Sequence, residues 1–293
     1  MTGRTSRKTA PSPWNCAATT ATPSTGLPRK RWHQCSKPMR IAVISDIHSN
    51  MDALAAVLDD IAARDVDRIV SLGDNIGYGP EPEDVIQTLV EREIPSVTGN
   101  HEQALLDPVI ERGFNPQAAK ALKINKALLS MSSMRRIAAF PTFLRMGEGR
   151  FVHGVPPDMV AVYVSKQPLS RLRHILNASP DHVVFVGHTH DLAVYESGPG
   201  DITCKKLWNS RVSLAKTSKY IINSGSVGQP RDSHNKATYV IWDSRAHVVQ
   251  ARAVPYDTER TVRLIRRAGI PRVYADLLLD DSRHPGSPYS LDP

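Results

Sequence analysis

Cysteine is scarce in this chain: 293 residues include three, Cys16, Cys35 and Cys204, and none stands in a C-x-x-C pair. So few and so scattered thiols exclude a disulfide framework and suit a reducing compartment, the cytoplasm. No apolar run approaches the roughly 18 residues a membrane helix needs, and the start has no compact apolar core of a secretory signal. Acid is missing from one stretch altogether. Residues 1–40 hold eight basic residues (Arg4, Arg7, Lys8, Arg29, Lys30, Arg31, Lys37 and Arg40) and no Asp or Glu, so residues 41–293 carry 29 of each sign. The formal charge of +8 therefore belongs to the beginning of the chain. A neutral body argues against nucleic acid as the partner, and around Arg29-Lys30-Arg31 only Trp32 offers an aromatic face for base stacking.

Residues 1–38, rich in Ser, Thr, Pro and Arg without apolar periodicity, read as a disordered basic extension. Their acid-free composition superficially resembles a transit peptide, but Pro11, Pro13, Pro23 and Pro28 prevent an amphipathic helix. Met39 directly precedes the first strand, so a translation start there explains the same stretch equally well. From 39 to 280 the chain reads as one α/β domain, and 281–293 as a loose tail. Short β-rich runs at 41–45, 67–72 and 95–99 are separated by helical patterns, which makes βα units. Residues 116–139 are helical with no obvious chemistry. Strand-like runs then dominate up to a final helical stretch at about 257–280. Two facing sheets with helices outside account for this order, and no internal repeat is visible.

What stands out is where the polar residues fall. IAVIS leads into Asp46-x-His48, RIVSLG into Asp74, PSVTG into Asn100-His101, RFV into His153, VVFVG into His188-x-His190, and YII into Asn223-Ser224-Gly225. Ligand sites of open α/β sheets collect outside the carboxyl ends of strands, so these six ends converge on one rim. The other six histidines, His33, His174, His182, His234, His247 and His284, have no such company and read as structural or solvated. Imidazole, carboxylate and amide oxygen together suit borderline divalent ions, manganese first, with iron, zinc or nickel as alternatives. The lack of cysteine ligands argues against a closed structural zinc. Seven side chains, Asp46, His48, Asp74, Asn100, His153, His188 and His190, exceed what one open catalytic ion takes. Two ions about 4 Å apart would clamp the oxygens of an in-line displacement and acidify a shared water, which is phosphate-ester hydrolysis.

The ordered blocks DIHSN, GDNIGYGP, GNHE, VHG, GHTH and NSGSVGQPRD resemble the calcineurin-like metallophosphoesterase superfamily, and the GDxxGYGP and NSGSVGQPRD forms resemble its compact bacterial phosphodiesterase branch. The likeness runs from Met39 to about residue 275. It implies a four-layer α-β-β-α sandwich of two facing mixed sheets flanked by helices. It also implies that Asp46, His48 and His190 hold one divalent ion, that Asn100, His153 and His188 hold a second, and that Asp74 bridges. His101 is implied to assist the leaving group, as general acid or as hydrogen-bond donor.

Where protein phosphatases of that superfamily carry GDxVDRG, this chain has Gly77 and Tyr78 in place of the Asp and Arg, which disfavours a phosphoprotein substrate. Val155 stands in HGVP where relatives commonly have Ser. Tyr78 either walls the pocket or simply packs, and Arg231 is the basic residue placed to meet a phosphate. The turn with Gly225, Ser226 and Gly228 either presents backbone N–H groups to an anion or only turns the chain. The substrate implied is a small phosphodiester or phosphomonoester, a cyclic nucleotide and a dinucleoside polyphosphate among them. A metal-dependent nuclease and a silent interaction scaffold of the same fold are the alternatives.

Overall fold

The computed structural model describes residues 38–231 and 235–279. The anticipated basic extension, save Pro38, and the C-terminal tail lie outside the described residues, as do His33, His234 and His284. Strand β1 (Arg40–Ile44) has four buried apolar residues that alternate between two cores, Ile41 and Val43 facing one and Ala42 and Ile44 the other. Residues two apart share a strand face, so a strand that is apolar throughout must be covered on both sides. Helix α1 (Met51–Ala62) is one cover: Leu54, Val57, Leu58 and Ile61 recur at helical spacing and are buried. Asn50 caps its start, accepting from the Ala53 N–H at 3.1 Å. Strand β2 (Arg68–Ser71) pairs parallel with β1, and α2 (Pro82–Glu91) follows.

The third expected unit differs. Residues 95–99, read as a strand, make a single bridge, Ser71 to Ser96. Pro95 has no N–H to donate, and once the Val97 N–H has reached Ser71 O at 3.1 Å the chain turns at Gly99 into α3 (Asn100–Leu106). Helices α4 (Pro108–Glu111), α5 (Pro116–Leu128) and α6 (Met131–Ala138) occupy the next stretch. Then come β3 (Phe143–Met146), β4 (Gly149–Val152), α7 (Leu169–Ala178), β5 (Val183–Val186), β6 (Leu192–Ser197), β7 (Ile202–Lys206), β8 (Arg211–Ser213), β9 (Lys219–Ser224), β10 (Ala237–Asp243) and β11 (Val248–Val254). Helices α8 (Thr258–Arg267) and α9 (Val273–Leu279) end the described chain. Strand β8, three residues with no buried side chain, left no trace in the sequence pattern.

One sheet runs β2-β1-β10-β11-β8, the other β3-β4-β5-β9-β6-β7, and both are mixed. The core between them is built from Ile41, Val43, Phe151, Phe185, Ile222 and Trp242 among others, with the Trp242 ring 5.3 Å from Phe185. α1 and α2 cover the outer face of the first sheet, while Leu172 and Leu176 of α7 cover that of the second. This is the four-layer α-β-β-α sandwich. In each sheet the parallel strands, β1 with β2 and β4 with β5 and β9, send their carboxyl ends to the same rim.

Candidate metal centre

Asp46 and His48 follow β1, Asp74 follows β2, Asn100 opens α3, His153 directly follows β4, and His188 and His190 follow β5. All are buried except half-buried Asn100. Asp46, His48, Asp74, His188 and His190 have φ between 47° and 65°, the left-handed region that ordinary side chains avoid. Such conformations cost about 1–3 kcal/mol each and persist only where the surroundings over-determine them. Here loops from different strands lock one another. The Asp46 N–H donates to Gly73 O at 3.0 Å, the His48 N–H to Asp74 O at 2.9 Å, and the Gly228 N–H to Asp46 O at 3.0 Å. The His188 N–H donates to Asp46 Oδ2 at 3.0 Å, tying the two sheets together at the rim.

The side chains form two buried trios, Asp46-His48-His190 and Asp74-His153-His188, each offering ligand atoms within 4.8 Å of one another. Asp74 Oδ2 lies between them, 3.9 Å from His48 Nε2 and 3.3 Å from His153 Nε2. Asn100 Oδ1 is 3.1 Å from His153 Nε2. Three rings are anchored through Nδ1 on backbone carbonyls: His48 on Ile76 O at 3.1 Å, His153 on Leu72 O at 2.9 Å and His190 on Gln229 O at 2.6 Å. A carbonyl only accepts, so each Nδ1 carries a proton and Nε2 is the nitrogen aimed inward, where a neutral ring presents its lone pair. The lone pairs of His48 and His190 face each other at 3.2 Å, and His190 Nε2 faces Asp46 Oδ1, also at 3.2 Å. Asp46 Oδ1 and His188 Nε2 are buried without a hydrogen-bond partner. Acceptors crowded on acceptors are stable only around positive charge. A donor set of neutral nitrogen, carboxylate and amide oxygen therefore fits borderline divalent ions.

The electrostatics agree. Burial alone would raise Asp46 and Asp74, yet His190 holds the first and His153 the second well below the usual carboxylate range. Burial, with the neighbouring rings, pushes His48 well down and His188 down to about 3. His153 is the exception: burial would lower it, but Asp74 and then Asp46 lift it to about 9. The cleft draws in a cation, and His153 is where a proton can take that part.

His101 lies against this cleft, in a third overlapping set with His48 and Asp74. Its N–H donates to Asp74 Oδ1 at 2.9 Å, and its ring meets Tyr78 and Phe114 edge-on at 4.5 and 4.9 Å. Burial lowers it to about 4, partly offset by Asp74. Gly77, at φ 94°, leaves room for that ring, which a Cβ there would overlap. Tyr78 is buried and packs between His48, at 4.3 Å, and Tyr274, stacked at 4.4 Å. Arg231 is half-buried, close enough for its charge to work on both phenols against the burial that raises them.

The turn after β9 decides between its two readings. Gly225 N–H donates to Asn223 Oδ1, Ser226 N–H to Thr238 Oγ1, Val227 N–H to Ser45 O and Gly228 N–H to Asp46 O. These amides hold the protein's own loops and present no anion nest. Two residues of the site had no role in the sequence reading. Glu102 is buried and accepts from Gly99, Asp74 and Asn75 N–H groups at 2.7–2.9 Å and from Asn75 Nδ2 at 3.2 Å. Burial raises its carboxyl to about 7, with Asp74 adding to the effect, yet a protonated oxygen would displace one of those four donors. Its signal was the position three residues after the Gly99 N-cap. Asn125, on α5, accepts from Ser49 Oγ and Gly77 N–H and donates to Gly79 O, pinning the glycine loop beside His101. Nothing in the local pattern marks it out.

The model of the calcineurin-like phosphoesterase superfamily domain matches residues 39–247. An uncharacterized protein of Methanocaldococcus jannaschii is 32% identical over 234 residues, which is 79% of this chain and 93% of that one. The crystal structure of a metallophosphoesterase from Sphaerobacter thermophilus is 31% identical and superposes with a TM-score of 0.72, covering 84% of this chain and 100% of the other. Serine/threonine-protein phosphatase 2 of Escherichia coli is 38% identical over 68 residues, 23% of this chain and 31% of that protein.

Proposed function

Because the chain belongs to the calcineurin-like phosphoesterase superfamily, and is a phosphoric ester hydrolase on that ground, we propose that it cleaves a small phosphodiester or phosphomonoester in this cleft. The carrying observation is that two buried trios of ligand atoms meet on Asp74 Oδ2. Asp46, His48 and His190 would hold one divalent ion, manganese by preference, and Asn100, His153 and His188 a second, with Asp74 shared. Bound there, two such ions would supply a nucleophile at neutral pH and neutralise charge on the phosphoryl oxygens.

The chain's own residues do the remainder. Ile76, Leu72 and Gln229 carbonyls fix three rings in the ligating tautomer. His101, whose backbone N–H is held by the Asp74 carboxylate and whose ring is walled by Tyr78 and Phe114, would donate a hydrogen bond to the departing oxygen as charge develops there. Tyr163, half-buried and stacked on His188 at 3.9 Å, gives a flat leaving group an aromatic neighbour. Arg231 favours an anionic substrate at the same mouth. Among the described residues no helix is long and apolar enough to cross a membrane, and the sparse thiols favour the cytoplasm.

The test is hydrolysis of aryl phosphomonoesters and phosphodiesters by chelator-treated protein with manganese restored. Turnover should return with the metal. His101→Ala should lower it by about 10²–10⁴-fold with the metal content unchanged. A His101→Ala protein as fast as the parent would refute the role given to that ring.

A further inference from the structure

At the end of the sandwich opposite the metal centre stands a second cluster of ligand-type side chains. Glu148 lies in the turn between β3 and β4, His182 directly before β5, and His247 directly before β11. All three thus precede or join strand ends at the pole away from the catalytic rim, and they bring together both sheets. Each offers one ligand atom, and these lie within 4.8 Å of one another.

The cluster is built rather than incidental. The His182 N–H donates to Glu148 O at 3.2 Å, and His182 O accepts from the Tyr220 N–H at 3.0 Å, so two of the three backbones are pinned to each other. The third is held by the Leu214 N–H, which donates to His247 O at 2.7 Å, and the neighbouring Ala215 O lies 3.2 Å from His182 Nε2. That carbonyl can only accept, so Nε2 carries a proton and Nδ1 is the nitrogen turned toward Glu148 Oε2, 3.6 Å away. A carbonyl behind the ring thus aims its other nitrogen at the carboxylate, as carbonyls orient the rings at the opposite rim. Tetrahedral zinc with bonds of about 2.0–2.2 Å separates its ligand atoms by about 3.4 Å, close to the 3.6 Å between His182 Nδ1 and Glu148 Oε2. The rings of His182 and His247 meet edge-on at 6.1 Å, which leaves a cation accessible to both.

We propose that Glu148, His182 and His247 form a surface site for a borderline divalent cation, zinc above all, which clamps the β3–β4 and β10–β11 turns and so joins the two sheets at the non-catalytic pole. Water fills the remaining coordination. Nitrogen-rich and partly exposed, the site selects zinc over magnesium or manganese, which prefer oxygen or bind imidazole more weakly. The exposed Glu148 makes it a site that exchanges with free zinc.

The experiment compares zinc bound per chain, after saturation and gel filtration, in untagged full-length protein and in His247→Gly and Glu148→Gln. His247 has φ 50°, so glycine relieves the backbone while removing the ligand, and Glu148 is exposed, so glutamine leaves the fold intact. His247→Gly should hold one equivalent fewer than the parent, and Glu148→Gln should need at least tenfold more zinc to fill that equivalent. Zinc should raise the thermal midpoint of the parent further than that of either variant, while phosphoester turnover stays at the parental rate. The difference of one equivalent stands whatever the catalytic cleft holds. Equal zinc content and equal thermal response in parent and variants would overturn the proposal.

Discussion

The catalytic rim and the core between the sheets are built by opposite rules. At the rim carboxylates and imidazoles are buried together, five of them on left-handed backbone, with acceptors pointed at acceptors. Between the sheets Ile41, Val43, Phe151, Phe185 and Trp242 sit on ordinary strands whose side chains alternate between faces. A fully buried apolar side chain contributes about 1.5–3 kcal/mol, whereas each left-handed ligand residue costs about 1–3 kcal/mol. Stability comes from one region and is spent in the other, and a cation bound at the rim would turn its repulsion into attraction.

The comparison is sharpened first at Asp74, the carboxylate that lies between the two trios. Asp74→Asn should lower phosphoester turnover by roughly 10³-fold or more, in protein whose circular dichroism is unchanged. Undiminished turnover would remove Asp74 from the chemistry of the rim. Trp242→Ala is the mirror image. It should cost about 3–5 kcal/mol in denaturant unfolding, with turnover per folded molecule retained. Glu102→Gln falls between: its amide would oppose some of the four donors that now face a carboxylate, so manganese affinity should fall about 10–100-fold in a metal titration.

The smallest effect lies outside both regions, at Asp60. Burial would raise this carboxyl, but hydrogen bonds from Arg64, Arg252 and Tyr239 hold it far below the usual range. A depressed carboxyl adds stability above its unfolded value near 4 and loses it as pH falls toward the folded value. Asp60→Asn should therefore cost about 1–3 kcal/mol at pH 7, and the gap to the parent should narrow below pH 4. A gap constant with pH would remove the electrostatic explanation.

Sheet and helix order was legible in the chain because β1 and β5 are apolar at nearly every position and so announce cover on both faces. The cluster of Asp, Asn and His side chains was legible because each member follows a strand-like run. Less visible was whatever depends on contact across the fold. Residues 95–99 have strand composition, but Pro95 and the turn at Gly99 reduce them to one bridge. Asn125 sits within a helix of no apparent chemistry and is marked only by the loop it meets. The Gly225–Gly228 amides looked available to an anion until their acceptors on β1 and β10 were seen. His182 and His247, far apart in sequence, looked solvated, and only the sheets bring them together.

The central claim, that seven clustered side chains hold two ions on which hydrolysis depends, is tested most directly by titrating chelator-treated protein with manganese while following aryl phosphodiester turnover. The opposite pole offers a single, exposed carboxylate, whereas the cleft adds Asp46, Asp74 and Asn100 oxygens to its rings, so manganese fills the cleft first. Turnover should rise from near zero and level off at two equivalents per chain. Turnover undiminished after chelation, or a plateau at a single equivalent, would contradict the account.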